Sequence, residues 1–119
     1  MSLSERQRRF PPMLANLISF AYENGYELTL GEAYRTEEQQ RLYVDSGRSR
    51  TMNSRHRDRL AADLNLFKDG VYLADKERYR FLGERWEGLG GRWGGRFGVS
   101  PVDYATEVGW DSNHFELSE

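Results

Sequence analysis

The chain of 119 residues has no cysteine, which excludes a disulfide scaffold and any thiolate metal site, and it is long enough for one domain, residues 1–119, around a single modest core. With 30% charged and 13% aromatic residues it is globular and not disordered, because aromatic side chains supply the burial that offsets ordering entropy. A net charge of −2 gives no global field for a polyanion, and no apolar run suits a membrane span or a signal peptide, so cytoplasmic synthesis without membrane insertion is expected.

Pro11 and Pro12 suit the opening of a helix, where a missing N–H is harmless, and Leu14, Leu17, Ile18 and Ala21 follow at helical spacing. The spacing predicts a helix over residues 12–24, capped by Asn24 and Gly25. From Tyr26 the pattern alternates, with Leu28 and Leu30 on one face and Glu27 and Thr29 on the other, as in a strand that delivers Arg35 at its end. Thr36 then reads as the N-cap of a capping box with Gln39, opening a helix that carries Leu42 and Tyr43 and stops before Gly47. Residues 47–53 are polar, basic and without periodicity, the pattern of a mobile loop leading into His56.

Residues 60–67 alternate again, with Ala62, Leu64 and Leu66 on one face and Ala61, Asp63, Asn65 and Phe67 on the other. A carboxylate in so apolar a strand needs a partner or a metal. Lys68-Asp69-Gly70 is a turn, and Val71-Tyr72-Leu73 is the return strand of a hairpin. Asp75 caps a third helix with Tyr79, Leu82 and Trp86 at core spacing. Residues 88–98, GLGGRWGGRFG, are too rich in glycine for a regular element, yet Trp93 and Phe97 mark an ordered loop. A short turn or helix starts at Ser100, and a terminal strand places Phe115 and Leu117 toward the core, with His114 and Glu116 together on the other face.

Both histidines have a carboxylate nearby, His56 with Asp63 and His114 with Asp111. A zinc site without cysteine is built from imidazole and carboxylate, and three such ligands with an open position form the catalytic pattern. Spacing alone leaves each residue a plainer role. Asp111 can cap the turn at Ser112-Asn113, Arg35 can pair with Glu38, and Glu116 can be a strand-face residue or a hydrogen-bonding partner of a ligand. Trp93 and Trp110 read as cleft walls or core. Arg48, Arg50, Arg55, Arg57 and Arg59 form either a solvated loop or an anion-facing rim. Nucleic acid is not expected as a partner, since the aromatics do not interleave with these arginines and the net charge is negative.

Taken together, Ser54-x-His56 with Leu60-Ala-Ala-Asp63-Leu, followed by Asp111-x-x-His114-Phe-Glu-Leu, resembles the zinc D,D-carboxypeptidase and L-alanyl-D-glutamate endopeptidase family. That family includes VanY- and VanX-like peptidases and phage endolysins, and it shares its fold with the Hedgehog signalling domain. Tyr34-Arg35-Thr36 with Glu38-Gln39 is similar to its strand-to-helix arginine motif, and residues 90–95 to its glycine-tryptophan loop, so the likeness spans nearly the whole chain. The resemblance implies an α+β fold in which a small, mainly antiparallel sheet carries the site and helices cover its other face.

It also implies His56, Asp63 and His114 as ligands of one zinc per chain and Asp111 as the catalytic acid/base. Arg35 would be the cation at the substrate, on the oxyanion or on a substrate carboxylate, with Ser54 as a supporting hydrogen-bonder and Trp93 at the substrate. The activity implied is hydrolysis of a D-Ala-D-Ala or L-Ala-D-Glu bond in peptidoglycan stem peptides, and with no signal peptide or wall-binding module in the sequence a monomeric phage or prophage endolysin, released onto the wall by other means, is expected. The alternative is a non-catalytic Hedgehog-like zinc domain that binds a partner or serves in a phage particle, against which the presence of Asp111 counts. One departure stands out: the family usually has glycine where this chain has Arg59.

Overall fold

The computed structural model describes residues 1–32, 36–47, 55 and 58–117. Of the expected loop over residues 47–53, all but Gly47 lies outside them. Helix α1, Leu3–Glu23, begins well before the proline pair, because Ser2 accepts the Glu5 N–H and the Glu5 carboxylate accepts the Ser2 N–H, a complete capping box. Pro11 and Pro12 are therefore inside the helix and not at its start. Both are exposed, so water can take up the carbonyls they orphan, while Phe10, Met13, Leu17 and Ala21 form the buried stripe. Asn24 is the C-cap as expected, and Gly25 follows with φ +83°.

The sheet holds β1 (Glu27–Leu30), β2 (Ala61–Lys68), β3 (Val71–Tyr72), β4 (Arg92–Trp93) and β5 (His114–Glu116), in the order β1-β2-β5-β4, with β3 also pairing β2. All its pairings are antiparallel. The expected α+β fold with a mainly antiparallel sheet is thus the one observed. Strand β2 is the organising element. Its Ala62, Leu64 and Leu66 are fully buried, as alternation predicts, while β1 runs along one edge and β5 and β3 share the other. Asp69 (φ +52°) and Gly70 (φ +78°) make the two-residue left-handed turn between β2 and β3.

Thr36 caps α2, Glu37–Asp45, by accepting the Gln39 N–H. Leu42 is exposed and Gln40 is the buried residue of this helix, and Leu30, at the end of edge strand β1, is exposed too. Asp75 caps a single 3-10 turn, Lys76–Tyr79, that runs into α3, Arg80–Gly88. Tyr79, Leu82 and Trp86 are buried as their spacing predicts. Edge-to-face contacts link Phe10 of α1 to Trp86 of α3 and Trp86 to Phe115 of β5, so the helices and the sheet share one aromatic core.

The glycine-rich segment does contain a strand. Trp93 pairs with Phe115 across β4 and β5, and its indole lies against Gly83 of α3, where a Cβ would overlap the ring. Gly95 clears the same ring from within the glycine-rich segment, since a Cβ there would also overlap it. A further 3-10 turn, Pro101–Asp103, fulfils the expectation of a short helical turn after Ser100.

Candidate functional site

The site lies where β2 and β5 meet on the face opposite the core. Asp63 and His114 are register partners across the two strands, and Asp63 Oδ1 lies 3.3 Å from His114 Nδ1. Asp111 reaches the same nitrogen from the turn before β5, which is closed by the His114 N–H on the Asp111 carbonyl, and its Oδ2 lies 3.8 Å away. Two devices hold that turn against the sheet. Gly94 has no side chain where a Cβ would collide with the Asp111 carbonyl and the His114 Cβ, and the Trp93 indole N–H donates to the Ser112 carbonyl at 2.7 Å.

On its other side the imidazole meets Glu116, two residues on and on the same strand face, with Nε2 2.8 Å from Oε1. Side-chain exposure is 7% for His114 and 10% for Glu116, against 23% for Asp63 and 31% for Asp111. The two aspartates therefore face solvent and the histidine–glutamate pair stands behind them. Burial alone would push the His114 pKa down. Hydrogen bonds to Asp63 and Glu116 and the Asp111 charge outweigh it and push the value up to about 9. For Glu116, burial pushes the carboxyl up, but the bond to His114 and the nearby charges of His114, Arg92 and Arg55 hold it below its usual range.

The wall of the site is completed by Phe97, whose ring lies 5.6 Å from the His114 ring, and by Trp110, 5.5 Å from Phe97 and 65% exposed. Asn113 donates to Asn65 on the same strand face as Asp63. Arg55, Asp58 and Leu60 are tied to one another and to α1. The Leu60 N–H bonds the Arg55 carbonyl, Arg55 pairs with Asp58, and Gln7 of α1 donates to the Asp58 carbonyl.

Of the residues expected in the site, Asp63, Asp111 and His114 come together, while Arg35, Ser54 and His56 lie outside the described residues. Trp93 is a correction. It is fully buried, so it supports the Asp111–His114 turn from the core and does not present a surface to substrate. Trp110, which the sequence left as wall or core, is the exposed tryptophan of the two. Glu116 had two readings from sequence, and it is the hydrogen-bonding partner of His114.

Among the described residues no group of three potential ligands closes on one point. Asp63 and His114 nonetheless fit a zinc: an imidazole nitrogen, which a metal would take in place of its proton, and a carboxylate oxygen converge from neighbouring strands, and the other ring nitrogen is held by a carboxylate, the usual support of a metal-bound histidine.

No protein-family model matches the chain, and no curated protein does. Solved structures do. An L-Ala D-Glu endopeptidase of Serratia marcescens, ChiX, aligns over 97% of this chain and 85% of its own with 24% identity and a TM-score of 0.68. The D,D-pentapeptidase VanY of the VanB-type resistance cassette, in complex with Zn(II), aligns over 92% and 70% with 23% identity and a TM-score of 0.60. The LD-carboxypeptidase LdcB aligns over 90% of this chain and 62% of its own, with 19% identity and a TM-score of 0.60. These likenesses show the fold, which is that of the peptidases the sequence motifs resemble.

Proposed function

We propose that the chain is a zinc-dependent peptidase acting on peptidoglycan stem peptides. The observation that carries this reading is that Asp63 and Asp111, both facing solvent, approach the same ring nitrogen of His114, in the fold of ChiX, VanY and LdcB. Asp63 and His114 would hold one zinc per chain with His56, whose sequence spacing to Asp63 matches the motif. Zinc supplies Lewis acidity at such a site. The chain's own residues do the rest. Asp111, the most exposed carboxylate of the cluster and three residues before His114, takes a proton from the attacking water and returns it to the leaving amine. Arg35 would bind either the oxyanion or a substrate carboxylate, with Ser54 in support.

A phage or prophage endolysin, monomeric and released onto the wall by other means, is the setting we infer, supported by the likeness of Asp111-x-x-His114-Phe-Glu-Leu to a family that includes phage endolysins. Digestion of purified muropeptides with mass analysis of the products tests the activity and assigns the bond. New free termini at D-Ala-D-Ala or L-Ala-D-Glu, suppressed by chelator and restored by zinc, are the expected result. Intact muropeptides after prolonged incubation with zinc-loaded protein would overturn the assignment.

A further inference from the structure

We propose that Glu116 is a positioning residue for this site, setting which nitrogen of His114 faces the reaction. The inference rests on the reading above, that His114 is a zinc ligand. The two side chains point the same way from β5, and Glu116 Oε1 lies 2.8 Å from His114 Nε2. A carboxylate only accepts hydrogen bonds, so the Nε2 hydrogen of the ring is directed at Glu116. In a neutral imidazole the lone pair is then on Nδ1, the nitrogen that faces Asp63 and Asp111.

The glutamate cannot easily drift from this place. Its backbone lies between Ala61 of β2 and Arg92 of β4, and its carbonyl accepts the buried Trp86 indole N–H at 2.9 Å. With 7% of its surface exposed, Glu116 is a costly residue to keep in the interior unless its charge is used. The same geometry excludes it as an alternative base, since it meets the ring on the side away from the two aspartates.

The test compares the full chain with Glu116→Ala and Glu116→Gln, reading zinc affinity by competition with a chromophoric chelator and the His114 ring nitrogens by long-range proton–nitrogen NMR of the zinc-loaded wild type. Glu116→Ala should weaken zinc binding by about 10- to 100-fold, the usual effect of removing such a partner. Glu116→Gln, whose amide oxygen still accepts the Nε2 hydrogen, should stay within a few-fold of wild type, and the wild-type spectrum should place the ring proton on Nε2. Wild-type affinity in the alanine variant, equal losses in both variants, or a ring proton on Nδ1 would each overturn the inference. Should Glu116→Ala fail to fold, the glutamine variant and the wild-type spectrum still decide. A wild-type chain that takes up no zinc would instead sink the functional reading itself.

Discussion

Arg59 shows how a single residue can record a backbone requirement. Its φ is +59°, and the Leu60 N–H reaches back to the Arg55 carbonyl, the six-to-one bond that closes a turn on a left-handed residue. Glycine, usual at this place in the resembling family, is thus explained by backbone conformation, and the arginine carries the steric cost. Arg59→Gly should raise the unfolding free energy by about 1 kcal/mol, measured by urea denaturation, and an unchanged midpoint would show that contacts of the arginine side chain offset the strain. Asp111 is the second residue-scale test. Asp111→Asn keeps size and hydrogen bonding, so zinc content and melting should hold while turnover falls by about 10² to 10⁴, the range for loss of general acid/base catalysis. Loss of zinc in that variant would make Asp111 a ligand, and wild-type turnover would place the base elsewhere. Asp63, Asp111, His114 and Glu116 were legible because strand alternation and a three-residue turn are local. The burial of Trp93 was not, since its slot is made by Gly83 from another element.

Among the elements, β2 was legible to within one residue at either end and α1 only at its end, for a common reason: a repeating apolar pattern survives local exceptions, whereas a boundary rests on a few residues. The pair Ser2 and Glu5 is a capping-box signal, but Pro11 and Pro12 are stronger helix punctuation, and only their exposed placement allows the helix to run through them. Strand β4 escaped notice because it is a strand by virtue of pairing with β5, not by propensity. The hairpin of β2 and β3 owes its far end to Tyr79, whose hydroxyl accepts the buried Leu66 N–H and donates to the Leu73 carbonyl, each at 3.0 Å. Tyr79→Phe should cost about 1–3 kcal/mol, because it strands a buried donor and an acceptor. Burial is the main cause that pushes the Tyr79 pKa above its usual value, ahead of the opposing bond from Leu66. A raised folded pKa means a contribution present below the unfolded value of about 10 and lost as pH climbs through the folded one. Wild type should therefore lose stability on the alkaline side more steeply than Tyr79→Phe, and parallel curves in urea melts above pH 9 would refute the assignment.

For the whole molecule, the core and the site are two faces of one small sheet, so a ligand of Asp63 and His114 acts on the fold as well as on the chemistry. A metal that binds the native chain and not the unfolded one stabilises it by mass action, and the size of that effect depends on what the metal must displace. On the proposed zinc reading, what it displaces at His114 is a proton. Burial works against that proton, but Asp63, Glu116 and Asp111 together hold the His114 pKa up to about 9, so the chelated chain keeps a cationic ring across the neutral range. The sign follows from linkage. The raised pKa lends the metal-free chain stability that is complete below the unfolded value of about 6.5 and disappears as pH rises through about 9, while zinc uptake releases the proton and so becomes more favourable with every unit of rising pH below 9. Thermal melts of zinc-loaded and chelator-treated protein, taken at fixed free zinc from pH 6 to pH 8, should show a midpoint difference that is positive and widens with pH. His114→Ala should show little difference at any pH. A gap that narrows as pH rises would mean that zinc and the His114 proton do not compete, and would remove His114 from the ligand set.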